Sequence, residues 1–282
     1  MNVRKFFPTA LCLLFAGLTL SPAPAALAQK DAGQPQSPSK YLYLSNVELK
    51  PEQGDAYAKL EADEVQAMRA AGAPSHYFAM WSITGAGTHV LYLHGFDSFA
   101  DLQKGHDDTM AMTKLQDTLK ADNAQEAPLV AERHSSIYSW EKELSGGSPI
   151  DLSKMRFMRI LLIHVRSGHD DDFRHVAKTF VKDYAASVPE AHWAMFQKMF
   201  GQGSDNTYIL CTPIESLSVV DNMMAGDKKL MDGVGEDHFA LLMKGLDVSV
   251  ESSEEDLFAF GAKISYVPDS WVSTSPDFWG KK

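Results

Sequence analysis

The sequence is short of cysteine, of cationic charge and of long apolar runs, and each shortage removes a class of function. Two cysteines occur in 282 residues, and Cys12 falls inside an N-terminal segment that reads as a cleaved signal. Cys211 would then stand alone, so no intrachain disulfide forms and stability must come from the core. Lys and Arg number 26 against 37 Asp and Glu, a formal charge of −11. Phosphate binding rests on Lys and Arg, so this balance argues against nucleic acid and anionic membrane surfaces as partners. Past the N-terminal segment no run is long and apolar enough to span a bilayer. Walker, HExxH, CxxC and GxSxG motifs are all missing.

What is present begins with residues 1–28. Arg4 and Lys5 make a basic start, Ala10 to Leu20 is apolar, and Ala26-Leu27-Ala28 fits a small-x-small cleavage site. Cys12 follows Leu11 within a continuing apolar run, which is the wrong context for lipid attachment. The segment predicts export to the periplasm or beyond, with no membrane attachment after cleavage. Its removal takes two cations and moves the balance to 24 against 37, or −13. Residues 29–40, rich in Gln, Ser, Pro and Gly, read as a flexible leader.

The rest reads as β-α-β-β-α-β, twice. Tyr41–Leu49 is a strand, residues 51–71 an amphipathic helix stopped by Gly72, and His76–Trp81 with His89–His94 a hairpin around Gly85-Ala86-Gly87. Ser98 caps a second helical region that runs towards Arg133, and Ser136–Trp140 is the fourth strand. Gly146-Gly147-Ser148-Pro149 marks a linker. Phe157–Val165 then opens a second set, followed by a helix over 168–186, a hairpin of His192–Gln197 with Tyr208–Thr212, and a helical region from Ser216 interrupted at Gly226, Gly233 and Gly235. Asp256–Phe260 closes it. The two sets share a register: Tyr57 with Phe173, His76 with His192 and Gly85 with Gly201 all lie 116 apart. The units are therefore placed at 41–145 and 157–266, with a linker at 146–156 and a tail at 267–282.

With this order the chain resembles the dimeric α+β barrel superfamily, whose unit is a ferredoxin-like fold. The resemblance rests on the strand-to-helix junctions Val47-Glu48-Leu49-Lys50-Pro51-Glu52 through Tyr57, and Val165-Arg166-Ser167-Gly168 through Phe173. It implies an α+β fold in which two units pair sheet to sheet into a barrel, here on one chain, as a monomer or a homodimer. The superfamily includes cofactor-free monooxygenases, isomerases, haem-binding and haem-degrading enzymes and proteins without assigned chemistry, so fold alone selects no activity. Haem is thereby implied as one cofactor without being favoured.

Strand alternation nominates the site. Val47, Leu49, Leu161, Ile163 and Val165 should meet the helices, turning Glu48 and His164 into the barrel. Those two occupy one repeat position and could act as an acid/base pair, or equally be strand ends facing water. Tyr92, His94, Tyr138 and Trp140 are expected inside, with Tyr208, Leu210, Phe258 and Phe260 from the other half. His76 and His192 stand as ligand contacts or as structural hydrogen bonds to a loop. The expected function is binding of a small apolar or aromatic molecule; the alternative is a cofactor-independent oxygenase or isomerase, or a haem-related enzyme. His106-Asp107-Asp108 and His169-Asp170-Asp171-Asp172 do not suggest a metal, because consecutive residues at a helix start converge poorly on one ion.

Overall fold

The computed structural model describes residues 36–85, 88–203 and 206–280. The signal, most of the leader, and Ala86 and Gly87 of the first hairpin turn lie outside the described residues. The first half runs β1 (Tyr41–Leu49), α1 (Gly54–Ala71), β2 (Phe78–Ser82), β3 (His89–Phe96), α2 (Phe99–Ala111), α3 (Thr113–Glu126) and β4 (Val130–Trp140). The second runs β5 (Phe157–Val165), α4 (Asp170–Ser187), β6 (Ala194–Gly201), β7 (Thr207–Ile214), α5 (Ser218–Val234), α6 (Glu236–Ser249) and β8 (Val250–Phe260). Two short helices, α7 (Asp269–Thr274) and α8 (Pro276–Trp279), end the chain.

Local chemistry explains the boundaries. Gly72 stops α1 with φ of 66°, a left-handed conformation that costs glycine little, while Ala73 N–H reaches back to the Met68 carbonyl at 3.0 Å. Ser98 caps α2 by accepting from Asp101 N–H at 3.0 Å. Gly226 and Gly233, expected as breaks, stay inside α5; the break falls at Gly235, where φ is 86°. β4 and β8 reach six residues further back than expected. Their first halves carry charged and polar residues and lack an apolar face, yet β1 and β5 pair with them along that length. Ladder hydrogen bonds, rather than hydrophobic alternation, hold these stretches as strand.

The eight strands close into an antiparallel barrel in the order β1-β3-β2-β8-β5-β7-β6-β4. Each half contributes one arc of four. The arcs join where Met80–Ser82 pair with Phe258–Phe260 and where Ser136–Trp140 pair with Phe196–Gly201. β1 and β5 stand four places apart in the ring, on opposite walls, and each has a register shift at the same point: between Glu48 and Leu49, and between His164 and Val165. One end of the barrel therefore carries Tyr41 and Phe157; the other carries Glu48 and His164.

Inside, Leu42, Met80, Leu91, Leu93, Tyr138, Ile160, Phe196 and Phe258 form one buried cluster. Outside, Val47, Leu49, Tyr57 and Val90 pack under α1, and Ile163, Val165, Phe173 and Tyr208 under α4, as the alternation of β1 and β5 requires. The segment after β8 is no loose tail. Trp279 packs on Phe260 and donates its indole N–H to the Ser153 carbonyl at 2.7 Å, closing part of the Tyr41 end.

Beneath α1 and α3 lies a buried polar network. Tyr92 donates to Glu61 at 2.8 Å and shares a 2.7 Å bond with Tyr57, while Arg133 pairs with Glu126. Glu61 and Glu126 are buried and Glu64 half-buried beside them. One guanidinium cannot balance three carboxylates. Burial, followed by the charge of neighbouring carboxylates, pushes Glu61 up to about 7 and Glu64 up to about 8. Both values lie above the unfolded range near ~4.3, so the folded chain binds more protons and stability falls as pH rises from there towards 8. Glu61→Gln keeps an acceptor for Tyr92 and removes the charge. It is expected to raise stability at pH 8 by on the order of 1–3 kcal/mol and to flatten the pH dependence of thermal unfolding. An unchanged profile would remove Glu61 as its source.

Candidate ligand-binding site

The apolar interior is not filled at the Tyr41 end. A cavity of about 1030 Å3 opens there. Its inner chamber is walled by Leu42, Leu93, Trp140, Met158, Phe196 and Cys211, all contributed by barrel strands. The rim is made by the strap at 36–39, the turn after α1, the linker after β4 and the segment after β8. A Gln36–Ile150 bridge and a Gly146–Trp193 bridge tie the strap and β6 to that linker. Glycine is required here: at Gly147, with φ of 83°, an added Cβ would sit 2.2 Å from the Ala191 carbonyl oxygen. Helix α7 supplies Trp271, whose ring stacks on Phe78 at 6.1 Å and faces the same space.

Four of the nominated residues line this cavity: His76, His94, Trp140 and His192. Trp140 spends its indole N–H on Ser145 at 2.9 Å and offers its ring face. His192 Nε2 donates to the Pro213 carbonyl at 2.8 Å, so this ring both shapes the rim and borders the space. His76 stacks on Tyr266 with centroids 4.7 Å apart, and its carbonyl accepts from His94 Nδ1 at 2.8 Å. Tyr138 is buried in the interior cluster, deeper than the chamber wall.

On β3 and β7 four placements differ from expectation. Tyr92 points out of the barrel, towards Tyr57 and Glu61 on α1. Tyr208 does the same in the other half, where it donates to Asp170 at 2.6 Å and packs on Phe173. Leu210 follows it onto the helix-facing side. A buried phenol needs a partner, and here the partner is a carboxylate on the first helix of each half. That acid, Glu61 or Asp170, was the sequence signal for an outward tyrosine. His94 shares the outward parity of Tyr92, so the cavity reaches it by passing over the end of β3 rather than through the interior.

Glu48 and His164 are not brought to the cavity. Both lie at the far end of the barrel, on opposite walls, and His164 Nδ1 is 3.3 Å from Thr207 Oγ1. Arg159 is a surface residue paired with Glu255, one bond being 3.0 Å. His169 pairs with Asp172 at 2.8 Å. Among the described residues no group of three or more His, Cys, Asp or Glu is placed to hold a metal ion, and no helix is long and apolar enough to cross a membrane.

The chamber residue that sequence reasoning passed over is Cys211. It faces the interior opposite Ile160, and burial pushes its thiol up to about 12. Thiolate is the reactive form, so an anionic disulfide reagent such as DTNB is expected to leave Cys211 unmodified in the native protein and to titrate it after denaturation. Rapid native reaction would mean that the chamber is wetter and more polar than its walls indicate.

No family model matches the chain, and no curated protein matches it. Solved structures do. One is a "putative monooxygenase" from Fusobacterium nucleatum, at 10% identity and TM-score 0.51, over 78% of this chain and 91% of that one. Another is an anthrone oxidase-like protein, at 13% identity and TM-score 0.49, over 79% and 92%. A third is a chlorite dismutase variant from Candidatus Nitrospira defluvii, at 8% identity and TM-score 0.45, over 86% and 97%. At such identities the likeness is one of fold: an α+β chain with a closed eight-stranded antiparallel barrel.

Proposed function

We propose that this is an exported protein of two tandem ferredoxin-like units that binds a small apolar or aromatic molecule at the Tyr41 end of its barrel. The cavity carries the reading. Its volume matches or slightly exceeds the ~300–1,000 Å3 usual for small-molecule sites, and an apolar chamber with a few polar groups at its mouth is their usual form. The barrel closes within one chain, so the chamber needs no second copy.

A cofactor-independent oxygenase or isomerase is the second reading, and one observation favours it. A carbonyl oxygen only accepts, so the His94 Nδ1 on the His76 carbonyl carries the proton. Burial lowers the pKa of this ring. His94 is thus held neutral, with a bare Nε2 able to take a proton. The fold-level likeness to a monooxygenase-type protein is compatible with this and adds no residue to it.

Haem, implied by the family resemblance, fits this lining poorly. Two propionates call for cations, and Lys142 is the one Lys or Arg among the described residues that line the cavity. The six chamber residues include no histidine, His192 has committed its Nε2, and His94 stands on the outer face of β3 rather than in the chamber wall. No step is derived through haem.

The test is titration with an environment-sensitive aromatic dye, 1-aminoanthracene. Wild type is expected to bind it with enhanced fluorescence. Ala194→Trp, which adds an indole to the cavity wall, is expected to weaken binding by about tenfold or more. Glu48→Gln and His164→Ala, at the far end, should bind as wild type does. Equal binding by Ala194→Trp, or loss in the far-end variants, would move the site away from the Tyr41 end. Appearance of the mature chain from Gln29 in a periplasmic or culture fraction tests export.

A further inference from the structure

The cavity is not uniformly apolar, and its polar side narrows the ligand class. Leu93 and His94 are consecutive on β3 and point to opposite faces of the sheet, yet both line the cavity. The space therefore starts in the chamber, crosses the end of β3 and continues over its outer face to the turn after α1. At the crossing stands Gly95, where an added Cβ would collide with Ser39 of the strap at 2.7 Å. A longer side chain there would displace the strap or wall off the outer arm.

Several polar groups along this path are already used. Trp140 N–H is bonded to Ser145, and Ser145 Oγ both accepts from Met195 N–H and donates to the Glu141 carbonyl. His192 Nε2 is bonded to Pro213. Asp101 accepts from Ser98, and Asp97 accepts from Lys40 N–H. His94 differs. Its Nδ1 proton is fixed on the His76 carbonyl, its ring lies 27° from the plane of Phe96, and it is held in one orientation with Nε2 as an acceptor.

The geometry points to an uncharged, largely apolar ligand that carries one hydrogen-bond-donating hydroxyl: its apolar body occupies the chamber and its hydroxyl donates to His94 Nε2. This rests on the cavity being the ligand site and goes beyond it by naming the head group and its partner. A charged head fits less well. An anion would face Asp97, Asp101 and a nitrogen lone pair, and an ammonium seated at the buried His94 ring would give up its hydration for one neutral acceptor. A neutral hydroxyl meets neither cost and satisfies a ring nitrogen that the His76 carbonyl fixes as an acceptor.

Fluorescence titration of the full chain with three probes tests this: pyrene, 1-pyrenemethanol and its methyl ether. The wild type is expected to bind the alcohol about three- to tenfold tighter than the ether, the range one neutral hydrogen bond supplies. In His94→Leu the two should bind alike while pyrene affinity is kept, which also shows that the variant is folded. His94→Gln, whose carbonyl oxygen again accepts, should restore part of the preference. Equal affinity for alcohol and ether in wild type, or a preference that survives His94→Leu, overturns the assignment while leaving the cavity as the site. Failure of all three probes to bind wild type overturns both.

Discussion

Closure of the barrel is the constraint on which the rest depends. Each half, taken alone, would end in two strands with unpaired backbone: β2 and β4 in one, β6 and β8 in the other. Such edges are aggregation-prone and costly to bury. Pairing β2 with β8 and β4 with β6 removes all four edges at once. The joints are short, three residue pairs at the first of them, so most of the cohesion comes from the interior cluster to which both arcs contribute.

Closure also creates the site. An eight-stranded barrel has an interior just wide enough for side chains to fill or for one small ligand. Here the middle is filled by Met80, Leu91, Ile160, Phe196 and Phe258, and the two ends are treated differently. At the Glu48 end the walls turn polar. At the Tyr41 end the segment after β8 covers one side with Trp271 and Trp279, while the strap and the linker roof the other and leave space beneath. The cavity therefore arises from the chain outside the strands as much as from the strands.

Much of this was legible in the sequence. β1 and β5 were readable end to end because each alternates between a face of branched aliphatics and a mixed face, and α1 because Gly72 stops it. The face assignment of β3 and β7 failed at Tyr92 and Tyr208. Aromatic rings suit a cavity wall and a helix interface equally, and what decided the matter was a partner for the hydroxyl, Glu61 or Asp170, on another element. The early halves of β4 and β8 were hidden because pairing partners, not hydrophobic pattern, define them. The Tyr41 end could not be identified as the end with the cavity either. That choice is made by Trp279 docking on Phe260 and by the Gln36–Ile150 bridge, contacts between segments far apart in sequence.

A crystal structure of the protein grown with 1-aminoanthracene would test the central claim most directly. The account predicts one ordered ligand in the chamber bounded by Trp140, Phe196 and Cys211, beneath the strap and the linker. A chamber closed by its own side chains, or a ligand lodged instead between Glu48 and His164 at the far end, would contradict it.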